Sequence, residues 1–354
     1  MSVYWLMFLT SALLALSPIN SNAFKLLRIY LFISVFITFT LIIGFRHEVG
    51  GDWGAYLNYY IVSTYSSIGE IPLIFSDIGY GIVNWFSAQI NGDIYLVNTI
   101  CGAIFMAGLI IFSKQQPLPW LALTVAVPYM VIVVAMGYTR QSVAIGFELM
   151  ALSSLIKSDM KKAVFFVILG TLFHKTAIIL LPLILLSEYL IRHKKSILSI
   201  VLVALVFTLG LMFLYERIEG LFSVYIVRKV ASSEGGLIRI IMNAIPALII
   251  LVFSKKLSNN RNERILFNLL SIISLLSIPL VFSFSTAVDR MALYLTPVQI
   301  YAFSRIHRLF PDNIQKIIAI LTIMFYYGIV LFVWLNFAIH SPFWIPYKFY
   351  PLVE

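Results

Sequence analysis

The chain has 354 residues, of which 61% are hydrophobic and 11% charged, and its formal net charge is +10. Soluble globular domains carry roughly 25% charged residues, so this composition excludes a soluble fold and leaves lipid as the solvent for most of the surface. The single cysteine excludes an internal disulfide and a cysteine-rich metal site.

Apolar runs follow one another along the whole chain. They lie at residues 2–17, 29–45, 94–113, 119–136, 141–156, 163–173, 176–191, 198–215, 239–253, 265–283, 291–304 and 317–338. Because a spanning helix needs about 20 mostly apolar residues, they predict an all-α integral membrane protein, a polytopic bundle of about 12 transmembrane helices. No repeat or linker divides the chain, so we expect residues 1–354 to form a single polytopic membrane domain.

Basic residues concentrate on alternate segments between these runs. The segments 18–28, 114–118, 157–162, 192–197, 254–264 and 305–316 hold 16 of the 25 Lys and Arg residues and three acidic residues. Since Lys and Arg collect on cytoplasmic loops, the pattern predicts that both termini lie on the outer, non-cytoplasmic side of the membrane. It also accounts for the net charge without nucleic acid as a partner.

The run at 163–173 is short, about 16 Å as a helix. Joining it to 176–191 would bury His174 and Lys175 in lipid and reverse every later loop. We therefore expect a short helix that ends at His174 on the outer side.

Two outer segments, 46–93 and 216–238, are long. In the first, Ile82, Phe86 and Ile90 recur every four residues, which predicts an amphipathic helix in the membrane interface. The second contains an amphipathic stretch from Glu219 to Val230. The aromatic tail from Trp344 to Tyr350 is also expected to lie in the interface.

Arginine is frequent on the predicted outer side, where topology does not require it. The arginines there are Arg46, Arg140, Arg217, Arg228, Arg239 and Arg290. A guanidinium group is always charged and matches the geometry of phosphate, so the set predicts a site for an anionic ligand. For any single arginine, pairing with an outer acid such as Asp289 is an equally good interpretation.

Glu148 and His174 are further candidates. Glu148 lies in the middle of the run 141–156, on the same face as Gln141, and a carboxylate within a membrane helix suggests function. A structural polar contact between helices would explain it somewhat better. His174 faces the same compartment as the arginines, although a lone histidine is more often structural.

Several short motifs, in order along the chain, resemble the EpsG-type Wzy polymerase family. They are Arg46-His-Glu-Val-Gly-Gly-Asp52 followed by Tyr56, Ile78-Gly79-Tyr80, Tyr138-Thr-Arg140-Gln141 with Ala144, Phe173-His174-Lys-Thr-Ala177 through Pro182, and Asp289-Arg290-Met-Ala-Leu-Tyr294. The resemblance covers nearly the whole chain.

This resemblance implies a membrane glycosyltransferase that polymerises polyprenyl-pyrophosphate-linked oligosaccharide repeat units, for O-antigen or a related exopolysaccharide, outside the cytoplasmic membrane. An acceptor hydroxyl attacks the anomeric carbon while lipid pyrophosphate departs. The site must then supply fixed positive charge to the leaving group and a base to the acceptor.

The resemblance also assigns roles to the residues already singled out, with no cofactor and no metal expected. The arginines implied to bind pyrophosphate are Arg46, Arg140, Arg228, Arg239 and Arg290. The candidate bases are Asp52, His174 and Asp289, which the sequence does not rank, and the supporting residues are Gln141, Glu148 and Tyr294. The implied partners are the lipid-linked donor and acceptor, membrane lipid and, where chain length is controlled, a regulator protein.

Two other functions remain open at this point. A lipid-linked-sugar glycosyltransferase of the GT-C kind often places acids in a long first outer loop, as Glu48 and Asp52 are placed here. A polysaccharide flippase or exporter would instead need a basic cavity inside the bundle.

Overall fold

The helices of the chain follow the predicted apolar runs. The computed structural model describes residues 1–18, 22–192 and 236–353, and every predicted run within these ranges contains a helix. Among the helices of these described ranges, five are long and apolar enough to cross a membrane. The all-α, multi-pass membrane fold is therefore confirmed, while the total of about 12 spans stays a prediction.

The N-terminal half contains ten helices within the part of the chain that the structure describes. They are α1 (Ser2–Leu16), α2 (Lys25–Gly44), α3 (Trp53–Thr64), α4 (Ile71–Ile74), α5 (Ile78–Gln89), α6 (Asp93–Lys114), α7 (Pro119–Ala126, continued by a π-helix over Val127–Ala135), α8 (Thr139–Ile156), α9 (Met160–Phe173) and α10 (Leu180–Arg192).

The C-terminal half begins, within the described residues, at Gly236. Its helices are α11 (Gly236–Leu257), α12 (Arg261–Ala292), α13 (Pro297–Phe303) and α14 (Asn313–Phe337).

The connections between helices lie at two opposite ends of the bundle. Helix α6 runs from one end to the other, and its 22 residues span about 33 Å. At one end the segments 114–118, 157–162, 254–264 and 305–316 meet, where Asn262 donates to the Ser158 hydroxyl over 2.8 Å and Arg308 donates to the Leu257 carbonyl over 2.6 Å. We call this the lysine-rich end. The other, the arginine end, contains the start of α8 and the C-terminal tail.

The tail closes the arginine end of the bundle. The backbone N–H of Tyr350 donates to the Phe45 carbonyl over 2.8 Å, and the Tyr4 hydroxyl donates to the Trp344 carbonyl over 2.6 Å. Trp344 is 3% exposed, and its indole N–H donates to the Ile132 carbonyl. Its ring packs inside the bundle against Gly137, and the position of the tail in the membrane interface stays a prediction.

Residues 46–93, predicted to lie on the outer side, carry the amphipathic helix that the sequence predicts. Along α5, Ile82 is 45% and Phe86 47% exposed, while Asn84 and Ser87 are buried. An apolar face directed outward and a polar face directed inward suit a helix lying against lipid. The second predicted amphipathic stretch, Glu219 to Val230, lies outside the described residues.

The chain breaks at His174, as the charge pattern predicts. Helix α9 ends at Phe173, and His174 adopts an extended conformation with φ −155° and ψ 112°. A short 3-10 turn over Lys175–Ile179 then leads into α10. The two runs are therefore separate helices, and His174 lies at the junction.

One predicted boundary is wrong. Helix α12 continues past residue 283 to Ala292, so Asp289 and Arg290 occupy its last turn rather than the start of the next helix. Residues 284–290 contain neither glycine nor proline, so the sequence offers nothing there to stop a helix.

Candidate active site

Arg140 stands in the first turn of α8 and pairs with a residue from the first outer segment. Its Nη1 donates to Oδ2 of Asp77 over 2.7 Å. Asp77 is the N-cap residue of α5 but makes no capping bond with its side chain, which leaves the carboxylate available to Arg140. The guanidinium group also lies over the rings of Tyr59 and Tyr56, 5.2 and 6.0 Å from their centroids.

The same carboxylate lies beside His174. Oδ2 of Asp77 is 3.9 Å from Nδ1 of His174, and Oδ1 accepts a hydrogen bond from the backbone N–H of Lys175 over 3.3 Å. Within the described residues neither ring nitrogen of His174 has a hydrogen-bond partner. The imidazole is therefore held next to an acid but keeps both nitrogens unengaged.

Asp77 is absent from the residues predicted for the site. Burial alone would raise the pKa of its carboxyl, but His174, the Arg140 guanidinium and the Lys175 N–H outweigh burial and hold the pKa below its ordinary value. Asp77 is thus an anion that joins Arg140 to His174. Its one signal in the sequence is its position directly before Ile78-Gly79-Tyr80.

A second ion pair links α11 to α12. Nε and Nη2 of Arg239 both donate to the carboxylate of Asp289, one bond to each oxygen. The Arg239 guanidinium lies 6.0 Å from the centroid of the Tyr129 ring. This bidentate pair fixes the last turn of α12 relative to the first turn of α11.

Arg290 follows in the same turn and is joined to α8. Its backbone carbonyl accepts a hydrogen bond from the side-chain amide of Gln141 over 2.8 Å, while its side chain is exposed. The bond from Gln141, the neighbour of Arg140 in sequence, brings the two arginine-bearing helix ends together.

Tyr138 and Tyr294 connect the two ion pairs, Arg290 and His174 at the arginine end. The Tyr138 hydroxyl lies in the electrostatic field of Asp52, Arg239, Asp289 and Arg290. The Tyr294 hydroxyl lies 3.1 Å from the Thr176 hydroxyl, which connects the segment after Arg290 to the segment after His174. Besides Arg46, six of the predicted pyrophosphate-binding arginines and candidate bases thereby share the arginine end. They are Asp52, Arg140, His174, Arg239, Asp289 and Arg290.

Arg46 is buried between helices. It is 1% exposed, and its guanidinium donates to the Ile43 carbonyl over 2.5 Å, to the Asn98 amide oxygen over 3.0 Å and to the Thr139 hydroxyl over 2.8 Å. These bonds join α2, α6 and the start of α8. The side chain thus braces the turn that carries Arg140.

Asp52 is the N-cap residue of α3, is exposed, and makes no side-chain capping bond. The loop before it approaches the end of the π-helix closely: a Cβ on Gly50, whose φ is +107°, would lie 2.4 Å from the Met136 carbonyl oxygen. Glycine is needed there because of the positive φ and because of the close approach to Met136. The loop thus holds Asp52 near Tyr138.

Glu148 lies deeper in α8. It is 1% exposed, and neither of its carboxylate oxygens has a hydrogen-bond partner within the described residues. The Tyr294 hydroxyl lies in its electrostatic field. Arg228 lies outside the described residues.

Across residues 1–18, 22–192 and 236–353, no three His, Cys, Asp or Glu side chains gather closely enough to hold a metal ion.

Comparison with known protein families identifies a family that covers most of the chain. The model of the EpsG family matches residues 29–349, a range that contains every residue predicted for the site. This confirms the resemblance seen in the sequence motifs. No curated protein and no solved structure matches the chain.

Proposed function

The chain belongs to the EpsG family of polysaccharide-polymerase-type membrane proteins, and we propose that it joins polyprenyl-pyrophosphate-linked oligosaccharide repeat units into a surface polysaccharide, O-antigen or exopolysaccharide, outside the bacterial cytoplasmic membrane. The observation that carries the proposal is the grouping of Arg140, Arg290 and the Asp77–His174 pair at one end of the bundle. It offers positive charge for a departing pyrophosphate and, next to it, a base.

The proposed reaction is a glycosyl transfer. A hydroxyl of the acceptor sugar loses its proton to a base, and its oxygen forms a bond to the anomeric carbon of the donor. The bond from that carbon to the pyrophosphate oxygen breaks, and the polyprenyl pyrophosphate leaves with the electron pair. Negative charge therefore builds up on the leaving group, and fixed cations aimed at it lower the barrier.

Arg140 and Arg290 are the residues that we assign to the pyrophosphate. The Arg140 side chain remains 27% exposed although it pairs with Asp77, and the Arg290 side chain is exposed. Arg239 already donates two bonds to Asp289, so we assign it to positioning the last turn of α12. A guanidinium group offers five donors, which leaves Arg140 several for a phosphate.

His174 is the base that the geometry favours. Both of its nitrogens are unengaged within the described residues, whereas both oxygens of Asp289 accept bonds from Arg239. Histidine is the side chain that most often serves as a general base, and His174, unlike the exposed Asp52, is held beside a carboxylate. Asp77, which lies 3.9 Å from Nδ1, would stabilise the imidazolium that forms.

Arg46 and Gln141 are assigned to positioning. Arg46 donates to Thr139 and Gln141 donates to the Arg290 carbonyl, so each fixes a helix end that carries an arginine of the site. Glu148 and Tyr294 lie beneath the same region and are kept as supporting residues.

The GT-C alternative loses part of its support. It depended on acids in the first outer segment, but Glu48 forms an ion pair with Lys348 of the C-terminal tail. Of the two acids on which the alternative rested, Glu48 and Asp52, only Asp52 makes no ion pair within the described residues.

A reconstituted assay tests the proposal. The purified full chain, in lipid nanodiscs, is supplied with a synthetic polyprenyl-pyrophosphate oligosaccharide matching the repeat unit of its source. We expect a ladder of elongated glycans and the release of one polyprenyl pyrophosphate for each linkage formed. Release without any elongated glycan would show hydrolysis instead, and the absence of both products with the matched substrate would contradict the proposal.

A further inference from the structure

A polar cavity lies at the lysine-rich end of the bundle, away from the candidate active site. Its volume is about 390 Å³, within the range of about 300–1,000 Å³ that is usual for small-molecule sites. The lining comes from three connecting segments, 115–117, 256–263 and 305–308. The charged residues of the lining itself are Lys256, Glu263, Arg305 and Arg308.

Arg305 forms the inner wall of this cavity. It is 2% exposed and donates to the Gln116 amide oxygen and, over 3.2 Å, to Glu263. Its guanidinium lies 3.9 Å from the centroid of the Tyr301 ring. Its Nε–H has no hydrogen-bond partner within the described residues, so a buried donor in the wall of a polar cavity is left unused.

Lys256 and Arg308 bring further positive charge to the lining. Arg308 donates to the Leu257 carbonyl over 2.6 Å, and the Lys256 ammonium lies 5.7 Å from the centroid of the Phe253 ring. Within the described residues no ion pair joins either of them to a carboxylate. The lining therefore holds three cations against the single carboxylate of Glu263, and that carboxylate already pairs with Arg305.

Membrane topology does not explain this arrangement. The excess of Lys and Arg on cytoplasmic loops is satisfied by charges on the surface. It requires neither a buried arginine nor a concave site that brings cations from three segments together. Burying a guanidinium is unfavourable unless its charge and donors are matched. Glu263 matches the charge of Arg305, whereas its Nε–H donor has no hydrogen-bond partner within the described residues.

We propose that this cavity binds an anion through a phosphate group, as a second ligand site separate from the proposed polymerase site. Phosphate oxygens suit guanidinium and ammonium donors, and the lining of side-chain amides and charged groups suits a hydrated polar ligand. The phosphate would belong either to a soluble phosphorylated compound or to the headgroup of an anionic lipid at the same membrane surface.

Thermal unfolding of the full chain in nanodiscs tests the site. In zwitterionic lipid, inorganic phosphate is titrated against sodium chloride of equal ionic strength. In a second arm, phosphatidylglycerol replaces part of the zwitterionic lipid and no phosphate is added. The wild type is compared with Lys256→Gln/Arg308→Gln, which keeps the buried Arg305–Glu263 pair intact. The matched control, Lys157→Gln/Lys161→Gln, removes two exposed charges from the same end.

We expect the unfolding temperature of the wild type and of the control to rise saturably with the ligand. In Lys256→Gln/Arg308→Gln the apparent affinity should fall at least about tenfold, as loss of charge-assisted bonds predicts. A rise with inorganic phosphate assigns the site to a soluble compound, and a rise with phosphatidylglycerol alone assigns it to a headgroup. An Arg140→Lys/Arg290→Lys variant should keep the response, which separates this site from the polymerase site.

Two results would overturn the proposal. One is the absence of any saturable rise with either probe. The other is an equal rise in the wild type and in Lys256→Gln/Arg308→Gln, which would show that the anion acts elsewhere or through general screening.

Discussion

Arg140 and Asp77 form an ion pair with an Nη1 to Oδ2 distance of 2.7 Å, across 63 positions of the sequence. The pair joins the start of α8 to the start of α5, the helix that lies with its apolar face outward. Asp77 also lies 3.9 Å from Nδ1 of His174. One carboxylate thus orders both the cation and the base that we assign to the proposed glycosyl transfer.

The first prediction concerns Arg140 and Arg290. If each binds pyrophosphate through the planar guanidinium fork, Lys keeps the charge but loses the geometry. We expect Arg→Ala to lower the polymerisation rate by about 10- to 100-fold, as loss of bonds to a charged group predicts, and Arg→Lys to lower it measurably. The rate is measured on membranes with equal protein content. Lys25→Ala, at the end of α2 that lies away from the candidate site, is the control and should change the polymerisation rate very little. Full activity of both Arg→Ala variants would remove these residues from the site.

The second prediction separates the candidate bases. Loss of a general base typically lowers the rate by about 10²–10⁴-fold, so His174→Gln should fall in that range. Asp52→Asn, which changes an exposed carboxylate, should lower the rate much less. Both rates are measured on membranes with equal protein content. The opposite ranking of the two variants would assign the base to Asp52.

The third prediction concerns Arg46, which we assign to positioning. Arg46→Met keeps the length of the side chain but leaves the Thr139 hydroxyl and the Asn98 amide oxygen without their donor. Each unsatisfied buried group costs about 1–3 kcal/mol, so the unfolding temperature in detergent and the amount of protein in the membrane should both fall. A variant with wild-type stability and no activity would instead show that Arg46 acts on the substrate.

The fourth prediction concerns which end of the bundle faces outward. In a Cys101→Ala background, a cysteine at Gly69, an exposed position where a Cβ meets no atom within 4 Å, should react with an impermeant thiol reagent in intact cells. A cysteine at Asn259, exposed at the lysine-rich end, should react only after permeabilisation. Reversed labelling would place the candidate site in the cytoplasm and overturn the proposed step.

Much of the helical framework was readable from the sequence because hydrophobic length and loop charge are strong local signals. The break at His174 is an example: a single long helix would have placed lysines on the wrong side, and the structure has two helices there. The end of α12 was missed because no residue between 284 and 290 stops a helix, so the apolar pattern ended before the helix did.

The candidate site was only partly predictable, because pairing across the chain is invisible in a single sequence. Arg140, His174 and Arg290 were found from residue type and predicted side of the membrane. Asp77 was missed because only the fold brings it to Arg140. Arg46 illustrates the reverse case: in sequence it resembles a ligand-binding arginine, whereas its guanidinium is buried against Asn98 and Thr139.

The central claim, that the protein polymerises repeat units after they have crossed the membrane, is tested most directly by the surface glycan of a strain that lacks it. Loss of a polymerase leaves translocation intact, so a single repeat unit can still be passed to its final acceptor. We expect surface glycan capped with one repeat unit and no ladder above it. The wild-type chain should restore the ladder, and the Arg290→Ala chain should not. A deletion strain with no repeat unit at its surface would contradict polymerisation and indicate a role in transport.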